Sequence, residues 1–173
     1  SLPLESFVAV ARYGATVELA PSALEAKLAK LAGVAVPRSL VLQAWEVPQR
    51  AADFAQQTGY PLFVKPVNAG SSYGISQIHR PEELRPALDL ALEHDTQVIL
   101  EEAIPGFEVG CAVMGTQELV VGEIDEIELS QGFFNFTEKY TLKTSAIHVP
   151  ARVSPDTARR VKETAKVIYR ALG

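Results

Sequence analysis

Two β-patterned segments that meet at a short turn constrain the fold more than any other feature of the chain. Residues 108–114 and 118–127 are rich in apolar and β-branched side chains, and Gly115-Thr116 lies between them. Two such runs joined by a glycine-containing turn predict a β-hairpin. Strands this close together in sequence can pair only in the antiparallel sense. The sequence therefore predicts at least one antiparallel sheet.

Helical patterns are interspersed with further strand patterns. The last helix is predicted to begin at Ser154, with Pro155 in its first turn, and its apolar residues recur at a 3-4-3-4 spacing. Those residues are Ala158, Val161, Ala165, Ile168 and Leu172. The other predicted elements are helices over residues 22–32, 48–58 (with Gly59 as a left-handed stop) and 81–94, and strands over residues 39–42, 61–66, 74–78 and 96–101. The predicted class is α+β, in two layers or two lobes.

Composition limits the functional classes. The net charge of −5 argues against a dedicated nucleic-acid binder. No apolar run approaches the roughly 18 residues of a membrane helix, and the first residues lack a signal-peptide pattern, so we expect a cytoplasmic protein. The single cysteine, Cys111, has apolar neighbours and is predicted to be a buried free thiol. Trp45 is predicted to be a packing residue, and residues 1–21 stay unassigned.

A lysine at the end of a strand precedes a loop of small residues. Lys65 lies near the end of the strand 61–66, and residues 68–72 (NAGSS, the serine loop) follow it. Such a loop offers backbone N–H groups and hydroxyls beside one ammonium, which suits a polyphosphate or a developing oxyanion. It is not a Walker loop, because no Gly-Lys-Ser/Thr closes it. On the pattern alone, a surface turn with a solvated lysine is an equally good interpretation.

Two acids flank a short linker, and a long loop follows further along the chain. Glu101 ends a strand and Glu108 opens the next, so the backbone of the linker (residues 102–107) could pair with adenine while a carboxylate accepts hydrogen bonds from ribose. In the long loop, Lys139 and Tyr140 form a pair that suits a lid whose ammonium reaches phosphate. For either feature alone, exposed acids and a solvated loop are the better interpretation.

Taken together, the three features resemble, in order and spacing, the D-alanine–D-alanine ligase family of ATP-grasp enzymes. Residues 123–140 look most like those of vancomycin-resistance D-alanine–D-serine ligases, and the resemblance covers residues 23–173. It implies an ATP-grasp fold with a nucleotide cleft between two α+β lobes. These would be a central lobe over residues 22–101 and the start of a C-terminal lobe over residues 102–173, with residues 130–145 as the lid.

The resemblance also implies roles for individual residues. Lys65 matches a lysine that contacts the ATP phosphates, and Lys139 matches the lid lysine on the γ-phosphate. Ser71 and Tyr140 match two members of a hydrogen-bond network that positions the first D-alanine. Glu101 matches an acid beside adenine. The remaining ATP-binding positions are Gly70, Ser71 and Ser72 of the serine loop, the backbone of Glu102, Ala103 and Ile104, and the ribose acid Glu108.

The implied reaction is an ATP-dependent ligation for peptidoglycan precursors. D-alanine would be activated as an acyl phosphate and attacked by the amine of D-serine or of a second D-alanine, with Mg²⁺ as a further cofactor. Tyr140, with no histidine in the lid, favours an amino acid over D-lactate. Family members are commonly dimers, so a homodimer is the candidate assembly. The alternatives are another ATP-grasp carboxylate–amine ligase and a non-catalytic nucleotide-binding fragment.

Three departures from the family pattern accompany the resemblance. The position of a second phosphate-gripping lysine falls on Ser22, and the domain that supplies the network glutamate is not recognisable in residues 1–21. The oxyanion arginine and the magnesium ligands would follow Gly173. No residue of the chain is therefore assigned to a metal, and the chain as given is expected to be incomplete and inactive.

Overall fold

The computed structural model describes residues 8–9, 28–68, 73–129 and 145–172. Its strands are β1 (Val8–Ala9), β2 (Ser39–Gln43), β3 (Leu62–Pro66), β4 (Ser76–Ile78), β5 (Gln97–Glu102), β6 (Glu108–Gly115), β7 (Leu119–Leu129) and β8 (Ser145–His148). The longest helices among these residues are α1 (Val47–Thr58), α2 (Leu84–Leu92) and α3 (Pro155–Ala171). The strands form a first sheet, in the order β2-β5-β3-β4, and a second sheet, in the order β1-β6-β7-β8. The predicted α+β class is confirmed.

The first sheet is antiparallel throughout and packs one face on α1 and α2. Successive side chains of a strand point to opposite faces. Leu62 and Val64 of β3 and Leu100 of β5 are fully buried in the core shared with the helices. Lys65 and Glu101, one position further along each strand, therefore lie on the face turned away from the helices.

The second sheet is built around the predicted hairpin. In it, β6 and β7 pair from Glu108 with Ile127 to Gly115 with Leu119, which confirms the prediction. Helix α3 covers one face, and the Ser154 hydroxyl caps its start by accepting a hydrogen bond from the Thr157 N–H at 3.1 Å. The core of this half consists of Val109, Cys111, Val113, Ile124, Val161 and Ala165. Cys111 is buried as predicted, and burial raises the pKa of its thiol.

One predicted helix stop differs in conformation. Helix α1 ends at Thr58, as the sequence predicts, and Gly59 follows with a positive φ of 85°. Its ψ of −178°, however, is extended rather than left-handed helical, so the predicted left-handed stop is wrong. The extended ψ has a simple reason: the chain must leave the helix directly to enter β3 three residues later.

Two strands had no signal in the sequence. Val8–Ala9, within the segment left unassigned, pairs in parallel with Val109 and Gly110 of β6. Ser145, which was predicted to end the long loop, instead begins β8 and pairs with Leu129. A strand of two or four residues carries too little periodicity to be read locally, because its partner strand supplies the hydrogen bonds that define it.

Trp45 and Pro86 lie near the starts of α1 and α2. Trp45 is 79% exposed, so its prediction as a packing residue is wrong; Val47 takes the buried position at the start of α1 instead. Pro86 lies in the first turn of α2, where its missing N–H would have had no intrahelical partner. Within the described ranges, no helix is long and apolar enough to cross a membrane.

Candidate nucleotide-binding site

Lys65 and Glu101 form an ion pair on the face of the first sheet that is turned away from α1 and α2. Strands β3 and β5 are antiparallel neighbours in which Lys65 lies opposite Ile99 and Glu101 opposite Phe63, so the two charged residues are diagonal neighbours. The Lys65 ammonium contacts one oxygen of the Glu101 carboxylate. The two side chains are only 18% and 12% exposed. The alternative of a solvated lysine on a surface turn is therefore wrong.

The burial of this pair has a chemical consequence. Two opposite charges removed from water stabilise each other, and either one alone would be costly to keep in place. The carboxylate thus holds the ammonium at a defined position on the sheet. An anion that approached Lys65 would meet a cation already oriented, which is the preorganisation that phosphate binding favours.

The linker after β5 is fixed to the first sheet at its beginning. The Glu102 N–H donates to the Arg38 carbonyl at 2.9 Å, and the Ala103 N–H donates to the Pro61 carbonyl at 3.3 Å. The Glu102 carboxylate accepts hydrogen bonds from the Arg38 N–H and guanidinium. Among the described residues, no partner is found for the Ile104 N–H. Of the three residues of the predicted adenine edge, Ile104 is thus the one whose N–H has no hydrogen-bond partner among the described residues.

Glu108 stands at the start of β6, on the other side of the linker. It is exposed, and Val109, the next residue, is buried against α3. Because side chains alternate along a strand, Glu108 lies on the face of the second sheet that is turned away from α3. Each of the two predicted acids therefore lies on the face of its own sheet that is turned away from the helices α1 to α3.

Five of the predicted site residues lie outside the described residues. They are Gly70, Ser71, Ser72, Lys139 and Tyr140. The borders of both loops are described: Asn68 and Tyr73 flank the serine-loop residues 69–72, and Leu129 and Ser145 pair directly at the base of the long loop. The roles that the resemblance implies for these five residues stay predictions.

Asp95 touches the serine loop, although no local pattern in the sequence marks it. Its carboxylate accepts hydrogen bonds from the backbone and side-chain amides of Asn68, at 2.7 and 2.9 Å. Burial alone would raise the pKa of Asp95, but the hydrogen bonds from Asn68 and Gln97 outweigh it, so the pKa lies below its ordinary value. The partners are 27 residues apart in the chain, and only the sheet brings them together.

A shallow groove between β7 and α3 contains none of the predicted site residues. Its lining consists of Leu119, Val121, Pro155, Ala158, Arg159, Lys162, Glu163 and Lys166. Each of its three cations is paired with a carboxylate, so the groove has little unbalanced positive charge for a nucleotide. Elsewhere within the described ranges, no group of three or more His, Cys, Asp or Glu side chains could hold a metal ion.

The sequence from residue 28 to residue 173 matches the family model described as the D-ala D-ala ligase C-terminus. The chain belongs to the D-alanine–D-alanine ligase family. The resemblance drawn from the lysine strand, the two acids and the long loop is confirmed.

Individual members of the D-alanine–D-alanine ligase family are similar to the chain over most of its length. The vancomycin B-type resistance protein VanB of Enterococcus faecalis is 42% identical over 152 residues, which cover 84% of this chain and 43% of VanB. A D-alanine–D-alanine ligase of Chlorobium phaeobacteroides is 44% identical over 113 residues, which cover 65% of this chain and 31% of that protein. The chain thus spans less than half the length of these relatives.

A solved structure gives the same result for the fold. The crystal structure of the VanG D-Ala:D-Ser ligase from Enterococcus faecalis matches with a TM-score of 0.77 and 52% identity, over 86% of this chain and 43% of that one. The D-alanine–D-alanine ligase of Bacillus anthracis matches with a TM-score of 0.68 and 25% identity. The α+β architecture is therefore the ATP-grasp fold of this ligase family.

Proposed function

We propose that the protein joins D-alanine to a second D-amino acid, D-serine or D-alanine, while ATP is converted to ADP and phosphate. The observation that carries this proposal is the buried Lys65–Glu101 pair beside the linker, within a chain of this family. The pair supplies an oriented cation for phosphate, and the linker supplies a backbone edge for the base. The product would be a peptidoglycan precursor, and the likeness to the vancomycin resistance protein VanB favours a role in that resistance.

In this proposal the ATP lies along the face of the first sheet that is turned away from α1 and α2. Lys65 shares its charge between Glu101 and a phosphate, which offsets the negative charge on the transferring phosphoryl group. The Ile104 N–H donates to the base, and Glu108 accepts from the ribose. Lys139 and Tyr140 reach the site from the long loop, whose closure excludes water and protects the acyl phosphate.

Magnesium would supply charge neutralisation at the phosphates when it is bound. The described residues offer no ligand group that fits it. We therefore assign no residue of this chain to the metal and no step to it. We place the protein in the cytoplasm, where ATP and free D-amino acids are available, with a homodimer as the candidate assembly.

We infer that the second substrate is a D-amino acid rather than D-lactate. Tyr140 in the long loop, with no histidine there, supports an amine nucleophile over the hydroxyl of D-lactate. An amine acceptor gives a peptide bond, whereas D-lactate would give an ester. The alternative function is another carboxylate–amine ligation by the same fold, and it differs in the acid that ATP activates.

The test is ADP release by the full-length protein. We expect release to depend on D-alanine and to rise when D-serine is added, with D-alanyl-D-serine as the product seen by mass spectrometry. Lys65→Met should remove ATP binding, whereas Lys166→Met, at a lysine of α3 that pairs with Glu163, should not. ADP release that does not depend on D-alanine would overturn the proposed substrate in favour of another carboxylate.

A further inference from the structure

The entry to the serine loop is tied to the turn between α2 and β5. One oxygen of the Asp95 carboxylate accepts from the backbone N–H and the side-chain amide of Asn68, and the other accepts from the Gln97 N–H at 3.2 Å. The Val67 N–H donates to the Gln97 carbonyl, also at 3.2 Å. One ionised side chain thus fixes the first residue of the loop to the start of β5, by charge-assisted hydrogen bonds.

The exit from the same loop lies against His94, the residue that precedes Asp95 in the chain. The rings of Tyr73 and His94 lie with centroids 4.7 Å apart at an interplanar angle of 57°. At Gly74, whose φ is +71°, an added Cβ would stand 2.6 Å from His94 Cδ2 and 3.1 Å from Pro66 Cγ. The backbone leaving the loop therefore passes against the His94 ring with no room for a side chain.

We propose that His94 and Asp95 are positioning residues that hold both borders of the serine loop for the phosphates of ATP. Four residues separate the two borders, and both borders converge on two consecutive residues of one turn. Fixing the ends of so short a loop removes conformational freedom that binding would otherwise have to remove. The inference rests on the proposed function for one point only, that Gly70, Ser71 and Ser72 meet phosphate.

Limited proteolysis tests the anchoring itself, without any nucleotide. Chymotrypsin cleaves after tyrosine, and Tyr73 is 53% exposed. In the full-length protein, chymotrypsin should cleave the Asp95→Ala variant after Tyr73 about tenfold faster than the wild type, because hydrogen bonds to a charged group are lost. His94→Ala should also accelerate this cleavage. Asp89→Ala is the matched control, because Asp89 is an exposed aspartate of α2 that pairs with Arg85. This variant should be cleaved at the wild-type rate.

The milder variant Asp95→Asn covers the case in which Asp95→Ala fails to fold. It keeps one acceptor oxygen and should give an intermediate cleavage rate. Wild-type cleavage rates in the folded Asp95 and His94 variants would overturn the anchoring.

Nucleotide titration separates positioning of the loop from general stabilisation of the first sheet and its helices. Asp95→Ala should weaken ATP binding about tenfold and leave adenosine binding unchanged, since adenosine has no phosphate for the loop to meet. An equal loss for ATP and adenosine would show a merely structural role and overturn the inference. If the wild-type protein binds no ATP, the proposed function fails, while the proteolysis result still decides whether the turn anchors the loop.

Discussion

The two sheets differ on the faces that are turned away from the helices α1, α2 and α3. On the first sheet, the charged residues Lys65 and Glu101 are largely buried and paired with each other. On the second sheet, Met114 and Val120 pair directly and are 60% and 62% exposed, and Glu108 is exposed as well. On the first face the two charges neutralise each other, whereas on the second face these three side chains are exposed to solvent.

This difference distinguishes residues that contribute to both stability and ligand binding from residues that contribute to binding alone. A buried ion pair contributes to the fold as well as to any ligand, because neither partner can be left alone in a dry environment. An exposed acid contributes little to the fold. Substitutions on the first face should therefore change stability and binding together, and substitutions on the second should change binding alone.

The largest effect is expected at Lys65. Lys65→Met leaves the Glu101 carboxylate buried without its partner, so we expect the free energy of unfolding to fall by about 3 kcal/mol, together with loss of ATP binding. Urea denaturation and calorimetric titration measure the two quantities. The double variant Lys65→Met/Glu101→Leu should recover the stability and not the binding. A single variant as stable as the wild type would contradict the claim that the pair matters to the fold.

A smaller effect is expected at Arg152, the partner of a buried acid in the second half. Hydrogen bonds from the Arg152 side chain hold the pKa of Glu126 below its ordinary value, and Glu126 is 6% exposed. The pair therefore stabilises the fold above about pH 4.3, and its contribution is lost as the pH falls through the lower, folded-state pKa. The Arg152 backbone N–H also donates to Glu126, so Arg152→Ala removes only part of the interaction.

Thermal melts between pH 3 and pH 7 measure this contribution. Arg152→Ala should lower Tm at neutral pH and make Tm fall less steeply in acid, with ATP affinity unchanged. A parallel shift of Tm at every pH would show that the pairing with Glu126 is not the cause.

The smallest effect on stability is expected at Glu108. Glu108→Gln replaces an exposed carboxylate by an amide of the same shape, so Tm should change little. If Glu108 accepts hydrogen bonds from ribose, ATP affinity should fall about tenfold, since a charged acceptor becomes neutral. Glu118→Gln, at another exposed glutamate near the far end of the hairpin, is the control and should bind ATP normally. A loss of stability in Glu108→Gln would remove the contrast between the two faces.

The sequence predicted several parts of the molecule that rest on local patterns. The hairpin at Gly115 and the cap at Ser154 depend on turn and capping chemistry within a few residues, and both are confirmed. The ion pair of Lys65 with Glu101 and the contact of Asn68 with Asp95 were not predicted. Each joins residues at least 27 positions apart, and their contact depends on the pairing of β3 with β5, which periodicity does not specify.

The most direct test of the central claim is a crystal structure of the full-length protein with a non-hydrolysable ATP analogue. The account predicts the Lys65 ammonium within hydrogen-bond distance of a phosphate oxygen and the Ile104 N–H directed at the base. An analogue bound elsewhere, such as the groove between β7 and α3, with the contact between Lys65 and Glu101 undisturbed, would contradict it.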